Sequence, residues 1–386
     1  MNTRQILFAL LRMQICGADV GEEVQKALSP QVLEEIYSLA LKHDLAHIAG
    51  QGLSDLGCLG GDEISGKFKK QAMLAVYRHT RMEHEFQSIC NALEAAKISY
   101  MPLKGAVLRK YYPEPWMRTS CDIDVLVKGN DLDRAADVLV RELGYENKGK
   151  GDHDLSMFSP NGVHFELHYT AVDQDRFSKA QDILEQMWRY ASRDETAVYH
   201  HTLKDEMFYF YHIVHTAKHI ENGGCGIKPF LDLWILNHQV AHDRQKREGL
   251  LTDGGLLTFA RAAEKLSEVW FSGVEADDLS SSLEQYVLDG GVYGTLKNSV
   301  AVKQAQKGGK LQYLLYKIWQ PYNIIKYAYP VLQKHKWLTP VYQVRRWLRL
   351  VFGGGLDHAV QTMKANAGME QEEWSSVQHL LDELGL

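Results

Sequence analysis

The stretch LKGAVLRKYYPEPWMRTSCDIDVLV, Leu103 to Val127, ends in an Asp-x-Asp pair set on a β-branched run. In a strand, residues i and i+2 project to the same face, so Asp122 and Asp124 aim their carboxylates at one point. Ile123, Val125 and Val127 then face a core. Two carboxylates held side by side repel unless a hard cation such as Mg²⁺ neutralises them. Alone, an Asp-x-Asp is also what a solvated strand edge looks like. What gives this one weight is what surrounds it, in order: Lys104-Gly105 upstream, Arg118 just before it, and a strand-borne acid downstream.

Upstream, Ile98–Leu103 reads as a strand and Ala106–Tyr112 as a short helix, which puts Lys104-Gly105 at a strand-to-helix turn. Backbone N–H groups at such a turn, with a lysine, suit phosphates. Arg118 offers a forked phosphate ligand, and Ser120 lies between it and the acids. Downstream, Gly162-Val-His-Phe-Glu-Leu-His168 alternates: Val163, Phe165 and Leu167 share one face, His164, Glu166 and His168 the other. Glu166 can therefore bring a third carboxylate to the same metal site. Three converging carboxylates suit a pair of Mg²⁺ ions that orient a triphosphate, its leaving group and the attacking oxygen.

Further outward, Leu132–Leu143 reads as a helix ended by Gly144. Asp154–Phe158 and Val163–Tyr169 read as strands separated by the turn signal Ser159-Pro-Asn-Gly162. Strands alternating with helices imply a small sheet domain at about residues 97–190. Residues 1–96 read as helical, with Ser29-Pro30 opening one helix and a long helical pattern from Lys67 to Ala96. Residues 191–386 return to the helical period through Leu203–Ile220, Pro229–His238 and Gly255–Phe271, then from 311 to 350 between prolines.

The Leu103–Val127 block, followed about forty residues later by VHFELHY, resembles the DNA polymerase β-like nucleotidyltransferase superfamily. More narrowly, it is similar to the group of uncharacterised nucleotidyltransferases called type 5. The narrower likeness extends through His215–His219, Lys228–Asp232, residues 290–294 and Tyr329-Pro330. The resemblance implies an α+β protein: a small mixed polymerase-β-like sheet domain flanked by N- and C-terminal helical regions. It implies Gly105 as the phosphate-loop glycine, Asp122 and Asp124 as metal ligands, and Glu166 as the third acid. One departure is Ala106, where the superfamily has Ser or a second Gly; Lys104 can offset the lost hydroxyl.

The implied reaction moves a nucleoside monophosphate from an Mg–NTP to an acceptor hydroxyl and releases pyrophosphate, with Mg²⁺ or Mn²⁺ as cofactor. The acceptor is a small molecule, a protein or an RNA end. Lys104, Gly105, Arg118 and Ser120 would bind nucleotide, and His168, His219 and Asp232 the acceptor. The rival is a catalytically weak nucleotide-binding or nucleic-acid-binding regulatory protein.

Other signals are weaker. Gly61 to Lys67 has the spacing of a phosphate-binding P-loop, but Phe68 stands where Ser or Thr must hold Mg²⁺. His212, His215 and His219 share a helical face, yet Thr216 occupies the position of the zinc-protease glutamate; core histidines are the plainer reading. The net charge of −6 hides an asymmetry: residues 290–356 hold eleven Lys and Arg and no Asp or Glu, leaving −17 elsewhere. Aromatics such as Tyr313, Trp319, Trp337 and Trp347 interleave those cations. That pattern suits contact with a polyanion or nucleic acid, a packed helical stripe with a basic outer face, or a membrane surface or protein partner. Five widely spaced cysteines without a Cys-x-x-Cys pair fit a reducing compartment, and no run is long enough for a signal h-region or a membrane span. The expectation is a cytoplasmic enzyme.

Overall fold

A computed structural model describes residues 1–151, 153–171, 177–193, 197–292, 294–329, 331–352 and 356–386. Tyr293 and Pro330, which belong to two of the family-like motifs, lie outside the described residues.

The centre is a five-stranded mixed sheet in the order β1-β2-β5-β4-β3: β1 Tyr100–Pro102, β2 Asp122–Val127, β3 Glu146–Lys150, β4 Asp154–Phe158 and β5 His164–His168. β2 pairs antiparallel with β1 and parallel with β5, and the β5–β4 and β4–β3 pairs are antiparallel. The alternation in DIDVLV and HFELH divides the sheet. Ile123, Val125, Val127, Phe165 and Leu167 enter one core with Leu155 and Met157. Helices α1 (Glu63–Ala95) and α3 (Leu132–Leu143) cover that face through Ile89, Leu93, Ala135 and Leu139, among others. The opposite face carries the acids.

Local chemistry explains the helix ends. The Asp62 carboxylate accepts from Ser65 N at 2.9 Å, so the P-loop-like spacing is the N-cap of α1. Gly144 ends α3 at φ 69°, in the left-handed region that glycine occupies without strain. α2, Lys104–Leu108, begins two residues earlier than the sequence pattern implies and passes into a 3₁₀ turn at Arg109–Tyr111.

The described residues divide into two compact units, Met1–Lys218 with Gly226–Ser281, and His219–Cys225 with Ser282–Leu386. The first contains the sheet, a short β6–β7 hairpin (Ala191–Arg193, His201–Leu203), most of α4 (Asp205–Glu221) and α5 (Lys228–His238). The second is helical. Val300, Ala301, Tyr313 and Met369 form a small core there, and Gln304 donates a buried hydrogen bond to Asn366 Oδ1 at 2.7 Å. No helix among the described residues is long and apolar enough to cross a membrane.

Candidate active site

Parallel register sets the geometry. Asp122 stands opposite His164, Asp124 opposite Glu166, and Leu126 opposite His168. One ligand atom from each of Asp122, His164 and Glu166 lies within 4.8 Å of the others, and the same holds for Asp124, Glu166 and His168. Glu166 is common to both groups. The structure therefore brings Glu166 within reach of each of the two aspartates, in separate groups. His168 joins them: its Nε2–H donates to Asp124 Oδ1 at 2.8 Å and lies 3.3 Å from Glu166 Oε2.

Lys104 reaches the same place from the turn after β1. Its Nζ donates to Asp124 Oδ1 at 2.6 Å and lies 4.0 Å from Glu166 Oε2. The backbone of Lys104 is left-handed, with φ 45°, and Leu103 N is tied to the Asp124 carbonyl at 3.0 Å. The turn is thus fixed against the strand that bears the acids. Gly105 packs closely beside it: a Cβ there would stand 3.3 Å from both Cβ and Oγ of Ser120, which would have to give by a few tenths of an ångström.

These contacts separate the acids electrostatically. Burial, then the neighbouring Asp124 charge, pushes the Asp122 carboxyl up to about 6. Burial would lift Asp124 too, but the Lys104 charge and the His168 hydrogen bond outweigh it and hold that carboxyl far below its usual range. The His168 hydrogen bond likewise lowers Glu166 against the effect of burial. For His168, burial opposes protonation, and the bonds to Asp124 and Glu166 overcome it and raise the imidazole. Burial acts against the Lys104 charge as well, and Asp124 more than restores it. Tyr211 of α4 completes the electrostatic surroundings. Burial raises its phenol, on which the charges of Lys104, Asp124, Glu166 and Asp122 also act.

The segment entering β2 is pinned on two sides. Arg118 Nε donates to Asp232 Oδ1 at 2.8 Å and Nη2 donates to Oδ2 at 2.8 Å, a two-pronged pair, while Tyr112 OH donates to Oδ1 at 2.7 Å. Asp232, on α5, is wholly buried. Next in sequence, Thr119 Oγ1 donates to Asp44 at 2.7 Å, and Lys228 Nζ donates to Asp44 at 2.5 Å and to the Thr119 carbonyl at 3.2 Å. Ser120 Oγ accepts from Arg109 at 3.1 Å and donates to the Asp122 carbonyl at 3.1 Å, and Arg109 Nε donates to the Gly105 carbonyl at 3.0 Å. Of the residues read as nucleotide- or acceptor-binding, Lys104 and His168 meet the acids. Gly105 and Ser120 lie against each other, and Arg118 meets Asp232. His219 lies near the end of α4 and belongs to the second unit.

Sequence reasoning missed Arg109, Tyr211, His164 as a member of the cluster, and the Asp44–Lys228 tie. His164 left a signal in its place on the polar face of β5, and Lys228 in the family-like stretch Lys228–Asp232.

A mixed sheet with paired acids on one strand and a third acid on its parallel neighbour defines a nucleotidyltransferase-like α+β domain. The chain belongs to the family described as uncharacterised nucleotidyltransferase, whose model matches residues 29–272. No curated protein and no solved structure matches it.

Proposed function

We propose that the protein transfers a nucleoside monophosphate from an Mg–NTP to an acceptor hydroxyl, with release of pyrophosphate. The observation that carries this reading is the β2–β5 register, which sets Asp124 beside Glu166 with Asp122 on the same face. Family membership supports nucleotidyl transfer in general. Each of the two overlapping groups offers two carboxylates, which suit a hard divalent cation, and one imidazole, and the two groups share Glu166.

In this mechanism Asp122, Asp124 and Glu166 would hold Mg²⁺ or Mn²⁺. Bound there, the metal would neutralise triphosphate charge and orient the departing pyrophosphate. His168 fixes the Asp124 and Glu166 carboxylates by hydrogen bonding to both. Lys104 presents an ammonium to the triphosphate, and the bare Gly105 lets the turn lie close against Ser120. Glu166 would hold the acceptor-side metal or draw the proton from the attacking hydroxyl. Arg118 and Asp232 position the chain that leads into Asp122.

The test is incubation with each labelled NTP, Mg²⁺ and cell extract, alongside an Asp122→Ala/Asp124→Ala double variant. Label should pass to an acceptor in the extract with the parent protein alone. Equal transfer by the variant, or none with any NTP, would overturn the reading.

A further inference from the structure

Within the second unit, α6 (Lys310–Ile318) and α7 (Thr339–Phe352) each show a packed side and a bare apolar side. On α7 the inward side is fixed by polar bonds: Arg346 donates to the carbonyls of Lys317 and Ile318, both at 2.9 Å, and Trp347 Nε1 donates to that of Ile318 at 3.1 Å. Gln343 on the same side is buried and donates to the Gln320 carbonyl. Opposite them, Val341, Val344, Leu348, Val351 and Phe352 are all exposed, Phe352 by 83%. At helical pitch these five cover an arc of about 100°, the width of a face meant to be buried. α6 repeats the pattern, with Tyr313 buried and Leu311, Leu315 and Ile318 exposed at i, i+4 and i+7. Trp319, which follows α6, and Trp337, which is 76% exposed, flank these stripes in sequence.

Charge decides what covers this face. Residues 290–356 contain eleven Lys and Arg without one carboxylate, and Arg345, Arg349, Lys334 and Lys336 are exposed. A second copy would set cations against cations with no acid in the segment to pair them. A nucleic acid would satisfy the cations but not the aliphatic stripe, because Val341, Val344, Leu348 and Val351 offer no π-face to a base. A surface that is anionic outside and hydrocarbon just beneath satisfies both. Amphipathic helices with Trp, Phe and Leu on one side and Lys or Arg on the other lie in such an interface.

We infer that α6 and α7 dock the protein on an anionic lipid surface, with the apolar stripes in the acyl boundary and the flanking cations on the headgroups. The inference is independent of the catalytic reading and can stand or fall without it. The full chain is sedimented with vesicles of neutral phosphatidylcholine, and with vesicles carrying about 30 mol% phosphatidylglycerol, while tryptophan emission is followed. Binding should favour the anionic vesicles by at least about tenfold, with a blue shift as Trp319 and Trp337 leave water. Val344→Asp/Leu348→Asp should abolish binding to both. Arg345→Glu/Arg349→Glu should weaken the anionic binding by roughly tenfold or more, at about fivefold per lost cation, and make the remainder less sensitive to salt. All four positions are exposed or on the bare side, and circular dichroism confirms that the variants fold. Absence of vesicle binding overturns the inference, as does binding indifferent to charge or unchanged in both variants. So does vesicle-free association with single-stranded oligonucleotide or with a second copy that the apolar variant alone removes.

Discussion

The Lys104 ammonium lies 2.6 Å from the Asp124 carboxylate, although Lys104 itself occupies left-handed backbone at φ 45°. A non-glycine residue held there costs about 1 kcal/mol, so the surrounding contacts, not Lys104's own preference, fix the turn. Lys104→Gly and Lys104→Ala both remove the ammonium and should lose transfer alike. Glycine relieves the strain where alanine does not, and Lys104→Gly should be the more stable of the two by about 1 kcal/mol in denaturant unfolding. A less stable glycine variant would show that the backbone is not strained.

Asp122 and Asp124 differ by two positions and have opposite energetics. Asp122 is lifted to about 6 by burial and by its neighbour's charge, so its ionised form strains the fold at neutral pH. Asp124 is held by Lys104 and His168. Asp122→Asn should therefore raise stability by about 1–3 kcal/mol in chelator, and Asp124→Asn should lower it by about 1–3 kcal/mol, while both abolish label transfer. Shifts of the same sign in thermal unfolding would contradict this division of roles.

The parts of the fold legible in the sequence are those that local pattern dictates. DIDVLV and HFELH alternate, and β2, β4 and α3 have the bounds that their patterns give. β3, Glu146–Lys150, is an edge strand with five exposed residues and no apolar alternation, so only its pairing with β4 makes it a strand. The hairpin strands β6 and β7 are three residues each, too short to show a period. In the site, the acids and Lys104 could be read because their strand and turn positions predict convergence. The Arg118 and Lys228 partners could not: Asp232 is 114 residues from Arg118, and Asp44 is 184 residues from Lys228. Tyr211 is hidden differently, in a run of α4 whose residues 207–214 are all buried and which therefore marks no face.

The Arg118–Asp232 pair should behave as a buried structural tie. Burial opposes the Arg118 charge, and Asp232 more than offsets it. Asp232→Asn leaves a buried guanidinium with a weaker partner and should cost about 3 kcal/mol. Arg118→Lys loses the two-pronged geometry and should cost at least about 1 kcal/mol. An Arg118→Met/Asp232→Leu pair removes both charges and should recover more than half of the Asp232→Asn loss. Chemical denaturation of the four proteins measures this, and a double variant no better than the single would mean that the pair's value lies elsewhere.

Acid should loosen the fold through His47 before it reaches the ordinary carboxylates. His47 is buried, with Nε2–H donating to the Met117 carbonyl at 2.9 Å, and burial pulls its imidazole down to about 4. In the unfolded chain the same group titrates near about 6.5. Between those values the unfolded chain takes up a proton that the folded chain refuses, so stability falls as pH falls through this window, by about 3 kcal/mol in all. Asp44 acts lower down. Its carboxyl is depressed because Lys228 outweighs the effect of burial, so its contribution is complete above the usual carboxylate range and is lost only as pH falls below it. His47→Gln keeps an amide donor for Met117 but cannot titrate. Asp122 and the other shifted groups titrate alike in both proteins, so the stability of the parent relative to His47→Gln should fall by about 3 kcal/mol from about pH 6.5 to 4 and hold steady below that. Parallel curves for the two proteins across the upper window would remove His47 as the cause.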